Sequence, residues 1–182
     1  MAIVYSALLS FVSIYASQIH LENIASMFFV VYAVVLLASR PFTGKWLDQY
    51  GPNVMTYPCI VLFAIGMFIL SQSNGAFMFL LSAGLIGIGW GTLFPTFQTI
   101  AIQYAEPRKR GLATATFLSI YDTGIALGSF IVGVIASKMD YSTLYCFFSF
   151  YILIGLVLFY FLHTKKSASA KGSAQQTKAQ EI

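Results

Sequence analysis

Charged side chains are scarce in this sequence: they make up 9% of its 182 residues, whereas soluble domains average about 25%. Hydrophobic residues make up 58%. A chain with so few charges cannot cover a soluble surface in the usual way, which excludes an ordinary water-soluble domain. The composition indicates a protein that lies in a membrane.

Histidine and cysteine are also rare, with two of each. Cys59 and Cys146 lie inside apolar stretches without the spacing of metal ligands, so we interpret them as small apolar side chains. His20 and His163 fall at the ends of apolar stretches, which leaves no histidine for a zinc site or a Ser/His pair within a bilayer. A G-x-x-x-x-G-K-[ST] phosphate loop is lacking as well. We therefore expect no enzyme, no metal and no cofactor.

Long apolar runs dominate what is present. A bilayer core about 30 Å thick needs about 20 apolar residues in a helix, and runs near that length occur six times. Only a helix satisfies its own backbone hydrogen bonds within one segment in lipid. The sequence therefore predicts an all-α membrane protein, a bundle of six transmembrane helices over residues 1–17, 23–39, 54–72, 76–104, 112–137 and 142–163.

The net charge is +4, and the basic residues are distributed unevenly along the chain. Nine of the ten flank the ends of the second, fourth and sixth runs, and Lys138 alone falls on the other side. Lys and Arg in short loops stay in the cytoplasm, so this pattern predicts a multi-pass protein of the cell membrane with both termini cytoplasmic. We interpret the basic loops as topology signals in contact with lipid, and we expect no nucleic-acid partner.

The two ends of the chain carry further information. The first run has no Lys or Arg, so it is neither a signal peptide nor a well-anchored first helix, and the chain looks cut from a longer one. Residues 164–182 have too little apolar surface to offset their ordering entropy. We predict a six-helix domain over residues 1–163 and a disordered cytoplasmic tail over residues 164–182.

Asp122 is the one acid well inside an apolar run, the fifth. At 100° per residue it shares a helix face with Ser119, while Gly124 and Gly128 lie nearly opposite. One interpretation is a proton relay or substrate contact; the other is a neutral, hydrogen-bonded structural acid.

Small and polar residues mark two other runs. Ser6, Ser10 and Ser13 form one stripe of the first helix, which suits either a packing seam or the lining of a polar cavity. In the fourth run Gly87 and Gly91 form a G-x-x-x-G packing motif and Pro95 should bend the helix. Gln98, near the cytoplasmic end of that run, either reaches an aqueous path or merely extends toward water.

The stretch RPFTGKWLDQYGPN, residues 40–53, joins the second and third runs. Its RPxxGxxxDxxG pattern resembles the loop motif of the major facilitator superfamily, and the later FPTFQTIAIQYAEPRKRGLATATFLSIYDTGIALGSFIVG resembles that superfamily's tenth and eleventh helices. The resemblance implies a gating and structural role for Arg40, Gly44, Asp48 and Gly51. A plain turn with a solvated Asp48 is the alternative.

The resemblance covers residues 1–163 and is to the C-terminal half of that superfamily, its helices 7 to 12. Gly124, Gly128 and Gly133 resemble a degenerate glycine motif whose proline is absent. Members have two six-helix halves and carry substrates between them by alternating access. The resemblance thus implies a half-transporter for proton-coupled efflux of a drug-like or small metabolite substrate, with Asp122 as the coupling acid. It would need an N-terminal half or a second copy of itself. The alternative is a truncated or accessory membrane protein without transport activity of its own.

Overall fold

The structure is a computed structural model. It describes the backbone of residues 1–180 and the side chains of residues 1–46, 49–51 and 54–161. All regular structure in that part of the chain is helical. The α-helices are α1 (Ala2–Gln18), α2 (Ala25–Ser71), α3 (Ala76–Gln103), α4 (Arg110–Ala136) and α5 (Tyr141–Gln180). Short 3₁₀ turns, Glu22–Ile24 and Pro107–Lys109, precede α2 and α4.

Five helical segments are long and apolar enough to cross a bilayer: Glu22–Trp46, Val54–Ser71, Ala76–Gln103, Pro107–Ala136 and Tyr141–Phe161. α1 is apolar but shorter, with 17 residues. All six runs identified in the sequence are therefore helices. The prediction of an all-α membrane bundle is confirmed.

The junction at residues 40–53 differs from the predicted loop. The backbone remains helical beyond Trp46, and helical geometry fails at Gly51, with φ 78° and ψ 161°. This combination of angles is essentially restricted to glycine. The predicted loop was wrong because water hydrates polar side chains equally on a loop and on a helix that extends out of the bilayer. Charge therefore gave no information about the backbone.

We call the two spans of α2 the first arm (Glu22–Trp46, with its 3₁₀ turn) and the second arm (Val54–Ser71). Arg40 and Gly44 consequently lie within helix, and Gly51 supplies the turn. The side chain of Asp48 lies outside the described residues. We refer to the side of the bundle where the arms meet, α3 ends and α4 begins as the Gly51 end.

α3 packs against both arms of α2, and glycines allow the close approach. A Cβ atom added at Gly87 would lie 2.8 Å from the carbonyl oxygen of Tyr32 on the first arm. One added at Gly89 would lie 2.7 Å from the backbone nitrogen of Phe63 on the second arm. Because both obstacles are backbone atoms, any side chain at these positions would push the helices apart.

α5 packs along the second arm of α2. The Ser149 hydroxyl donates to the carbonyl oxygen of Ala64 at 2.9 Å, and the ring of Phe159 meets that of Tyr57 at 5.5 Å. The outer face of α5 exposes large apolar side chains such as Phe150 and Ile154, as expected of a helix that faces lipid. Its backbone is helical to Gln180, where the sequence predicts a disordered tail over residues 164–182. No side chain of that stretch is described, so the prediction of the tail stays a prediction.

α1 packs along α4 through small residues. A Cβ added at Gly128 would lie 2.8 Å from the Cα of Ile3, and one added at Gly124 would lie 2.9 Å from the Cβ of Ala2. Contacts between this helix pair and the group formed by α2, α3 and α5 are much sparser than those within the group. The bundle therefore consists of two helix groups, the α1–α4 pair and the α2–α3–α5 group.

Candidate functional site

A cavity of about 390 Å³ lies where the two helix groups meet. Its volume is within the range of about 300–1,000 Å³ that small-molecule sites occupy. α1, the first arm of α2, α3 and α4 all contribute side chains. The lining residues are Tyr5, Tyr32, Leu36, Arg40, Trp90, Gly91, Phe94, Pro95, Gln98 and Tyr121.

Three aromatic rings from three different helices form one wall of the cavity. Tyr5 of α1 stacks on Trp90 of α3, with ring centroids 4.7 Å apart and planes 18° apart. Trp90 in turn lies 6.1 Å from Tyr121 of α4, with planes 22° apart. The three rings thus form a stack of nearly parallel planes, which we call the aromatic wall.

Further aromatic contacts hold the aromatic wall in place. Phe63 of the second arm packs against Trp90 at 5.3 Å, and Phe94, one turn along α3, packs against Tyr121 at 4.7 Å. Trp90 is 3% exposed, so its ring is almost fully enclosed by these neighbours. The wall is thus supported by further rings at Trp90 and at Tyr121.

The polar groups of the cavity lie beside this wall and toward the Gly51 end. The hydroxyl oxygens of Tyr5 and Tyr32 are 3.3 Å apart and share a hydrogen bond. Arg40 of the first arm and Gln98 of α3 also line the cavity, and Arg40 is exposed. Among the described lining residues, Arg40 is the charged one. The cavity therefore has an aromatic wall and a positively charged, solvent-accessible mouth.

Pro95 modifies the backbone next to the cavity. α3 continues through Pro95, but proline has no N–H to donate to the carbonyl of Gly91 four residues earlier. The Thr96 hydroxyl donates to the carbonyl of Thr92 at 2.7 Å, and Thr99 donates to that of Pro95 at 2.8 Å. Hydroxyl bonds of this kind to the carbonyl four residues earlier often bend a helix, so proline and threonine act at the same segment of α3.

A second cavity of about 180 Å³ lies beside Pro95, between the first arm and α3. Gly44 and Arg40 line it together with Gly91 and Pro95. A Cβ added at Gly91 would meet the Leu36 side chain at 2.8 Å. The glycine-rich, proline-containing part of α3 therefore faces the part of the first arm that carries the RPxxG residues.

The serine stripe of α1 faces α4 for part of its length. Ser6 is buried, donates to the carbonyl of Ile3 at 2.7 Å, and sits against Gly128. Ser10 and Ser129 share a hydrogen bond of 3.2 Å between their hydroxyl oxygens, whereas Ser13 is exposed. At Ser6 and Ser10 these contacts are those of a packing seam, which is one of the two alternatives that the sequence left open.

Asp122 lies on a different side of α4 from the cavity. Its neighbour Tyr121 faces α3, whereas Asp122 and Ser119 are both exposed and are not among the residues that line the cavity. Of the three residues predicted for proton coupling or substrate contact, the cavity therefore contains Gln98. Gly133, predicted for helix packing, would place a Cβ 3.5 Å from the ring of Phe11, which is ordinary contact.

The aromatic residues of the cavity were not identified from the sequence. Trp90 lies about 21 Å along α3 from Ala76, and Tyr121 about 16 Å along α4 from Arg110, so both are deep in their spans. Trp and Tyr in membrane proteins are enriched at the interfaces instead. Their depth is the signal that would have pointed to these two residues.

Comparisons with known proteins agree with this architecture. The sequence profile of the Major Facilitator Superfamily matches residues 1–181. The chain is 25% identical over 165 residues to the Staphylopine export protein of Staphylococcus aureus, covering 86% of this chain and 40% of that protein. It is 26% identical over 110 residues to Multidrug resistance protein 3 of Bacillus subtilis, covering 60% and 22%.

A fungal relative is the Efflux pump dotC of Dothistroma septosporum, 26% identical over 159 residues, which cover 85% of this chain and 27% of that protein. The chain thus spans well under half the length of the curated relatives it matches. No solved structure matches it.

Proposed function

This chain belongs to the Major Facilitator Superfamily, and on that basis we propose that it is the C-terminal half of a membrane transporter that carries a small molecule by alternating access. The observation that carries the proposal is the cavity of about 390 Å³ at the junction of the two helix groups. Alternating access needs a site whose walls belong to elements that can move relative to each other. Side chains from both helix groups line this cavity.

A partner for this half is part of the proposal. One exposed stripe of α4 carries the small and polar residues Ser119, Asp122 and Ala126, whereas large apolar side chains such as Ile120 and Phe130 are exposed elsewhere on that helix. Small and polar residues are typical of helix–helix contacts in membranes. An N-terminal half or a second copy of this chain, with both termini cytoplasmic in the cell membrane, would cover this face.

We assign proton coupling to Asp122. It is exposed on this same face of α4, one turn from Ser119 and about 18 Å along the helix from Arg110, near the middle of the span. Acids inside membrane spans are costly and commonly belong to proton relays. Covering and uncovering the face during alternating access would therefore drive proton uptake and release.

Export is the proposed direction, since the matched relatives carry the names of an export protein, a multidrug resistance protein and an efflux pump. The proposed gating elements are Gly51, which supplies the turn of α2, and Arg40, Gly44 and Asp48 of the same helix. Arg40 and Gly44 face the Pro95 segment of α3 across the second cavity. A change in the bend at Gly51 would move the first arm against that segment.

The test is substrate-dependent proton flux. The chain is co-expressed with the N-terminal half, or alone, and a pH gradient across proteoliposomes is followed with a quenched acridine dye as naphthalene-2-carboxylate, naphthalene-2-methanol or ethidium is added. Transport predicts that at least one compound dissipates the gradient, and Asp122→Asn should abolish that dissipation while membrane insertion stays intact.

Asp140→Asn is the matched control, because Asp140 is also an exposed acid but lies between α4 and α5, outside the spans. It should leave proton flux unchanged. Unaltered flux in Asp122→Asn would remove the coupling role from that residue. A gradient that no compound dissipates, in either pairing, would contradict the transport proposal itself.

A further inference from the structure

The chemistry of the cavity points to a class of substrate. This inference rests on the proposed function, in which the cavity holds the transported molecule. The aromatic wall of Tyr5, Trp90 and Tyr121 is a stack, because the successive ring planes differ by 18° and 22°, and its outer rings, Tyr5 and Tyr121, are the partly exposed ones. Partly exposed tyrosine rings bind another planar ring by offset stacking or edge-to-face contact. The wall therefore favours a planar aromatic group over a branched aliphatic one.

The charge of the cavity distinguishes among planar aromatic molecules. Arg40 is the charged residue among the described residues that line it. A guanidinium presents a rigid fork of N–H donors that matches a carboxylate. The hydroxyls of Tyr5 and Tyr32 share a hydrogen bond of 3.3 Å, which leaves one hydroxyl hydrogen free to donate beside the wall. Together these groups offer donors and positive charge to an anion.

A planar cation is the obvious competitor, because aromatic faces attract cations. The ring faces of Trp90 are already occupied: Tyr5 stacks on it at 4.7 Å and Tyr121 lies at 6.1 Å. A cation would also be repelled by Arg40, and no acid is among the described lining residues. The balance of these effects favours the anion.

We propose that this cavity binds a planar aromatic anion, with its ring on the aromatic wall and its carboxylate toward Arg40. The ring supplies contact area and the carboxylate supplies orientation. A neutral molecule with the same ring system binds more weakly, and a cation more weakly still.

Three probes with one ring system separate these effects: naphthalene-2-carboxylate, naphthalene-2-methanol and 2-naphthylmethylammonium. Each is titrated by calorimetry into the full chain in lipid nanodiscs, with the N-terminal half where the two copurify. We expect the carboxylate to bind about tenfold more tightly than the alcohol, the factor that corresponds to one charge-assisted hydrogen bond at a partly hydrated site. The ammonium should bind most weakly.

Arg40→Gln should remove this preference, so that carboxylate and alcohol bind with similar Kd, and Arg40→Lys should restore part of it. Lys45→Gln is the matched control: it removes the same charge from an exposed position five residues along the same helix, outside the cavity lining. That variant should retain the preference. Unchanged binding of the alcohol by Arg40→Gln establishes that the cavity is still folded.

Equal affinity for carboxylate and alcohol, tighter binding of the ammonium, or no binding of any probe would each overturn the proposal. So would an equal loss of preference in Lys45→Gln and Arg40→Gln. These outcomes are distinct from failure of the transport proposal, because binding is measured without a gradient. A transporter that dissipates a pH gradient with ethidium and ignores the carboxylate would retain its function and refute the substrate class.

Discussion

Replacing Gly89 by alanine would place a methyl group where α3 crosses the second arm of α2. The new Cβ would lie 2.7 Å from the backbone nitrogen of Phe63 and 3.0 Å from the carbonyl oxygen of Cys59. Ordinary contact begins at 3.4 Å, so the two helices would have to separate by about 0.7 Å. A gap of that size forfeits a quarter to a half of the dispersion energy of the atoms it separates.

Overpacking of this kind costs about 1–3 kcal/mol. For a chain of this length the loss corresponds to a fall in Tm of roughly 2–12 °C. The higher helix propensity of alanine works in the opposite direction, by about 1 kcal/mol or less, so we expect net destabilisation.

Cys59 provides the assay, because its side chain is 3% exposed and lies at this same crossing. In a Cys146→Ser background, a thiol-reactive fluorogenic dye would report the temperature at which Cys59 becomes accessible in detergent. Gly44→Ala is the matched control: nothing lies within 4 Å of its added Cβ, so it should leave Tm unchanged or raise it. A Gly89→Ala protein that melts at or above the parent would refute the close helix crossing.

Two further predictions use the same melting assay. Tyr15→Phe should lower the stability by about 1–2 kcal/mol, because the Tyr15 hydroxyl donates at 3.0 Å to the carbonyl of Leu70 at the C-terminal end of α2; the exposed Tyr151→Phe should be neutral, and equal melting of the two variants would contradict this role. Gly51→Ala should cost about 1–3 kcal/mol, because φ 78° and ψ 161° are strained for any residue with a Cβ. A Gly51→Ala protein as stable as Gly44→Ala would show that the turn does not depend on glycine.

Hydropathy predicts the helices of this chain well because lipid imposes the length of each span. The predicted run at 76–104 and α3 (Ala76–Gln103) agree to within one residue. The predicted loop at 40–53 was wrong because lipid thickness does not constrain the chain outside the bilayer. A polar stretch there can be helical or irregular. One dihedral pair at Gly51 decides the geometry there, and a G-x-x-x-D-x-x-G pattern does not say which of its glycines provides the turn.

The candidate site was predictable only where polarity singles out a residue. Gln98 attracted attention as an amide in an apolar run, and it does line the cavity. Tyr5, Trp90 and Tyr121 lie within apolar runs and carry no charge that sets them apart, and the stacked pairs are 85 and 31 residues apart in sequence. Such proximity is a property of tertiary packing, which no local pattern encodes. Asp122 was conspicuous for its charge, yet the packing of α4 directs it away from the cavity.

The sparse contact between the α1–α4 pair and the α2–α3–α5 group has a practical consequence for finding the natural substrate. A molecule bound in the cavity contacts both helix groups at once. It therefore stabilises the packing between two groups that make few contacts with each other. Ligand present at 100 times its Kd adds about 2.7 kcal/mol to the folded state. Compound libraries can therefore be screened by thermal shift alone, before any vesicle is made.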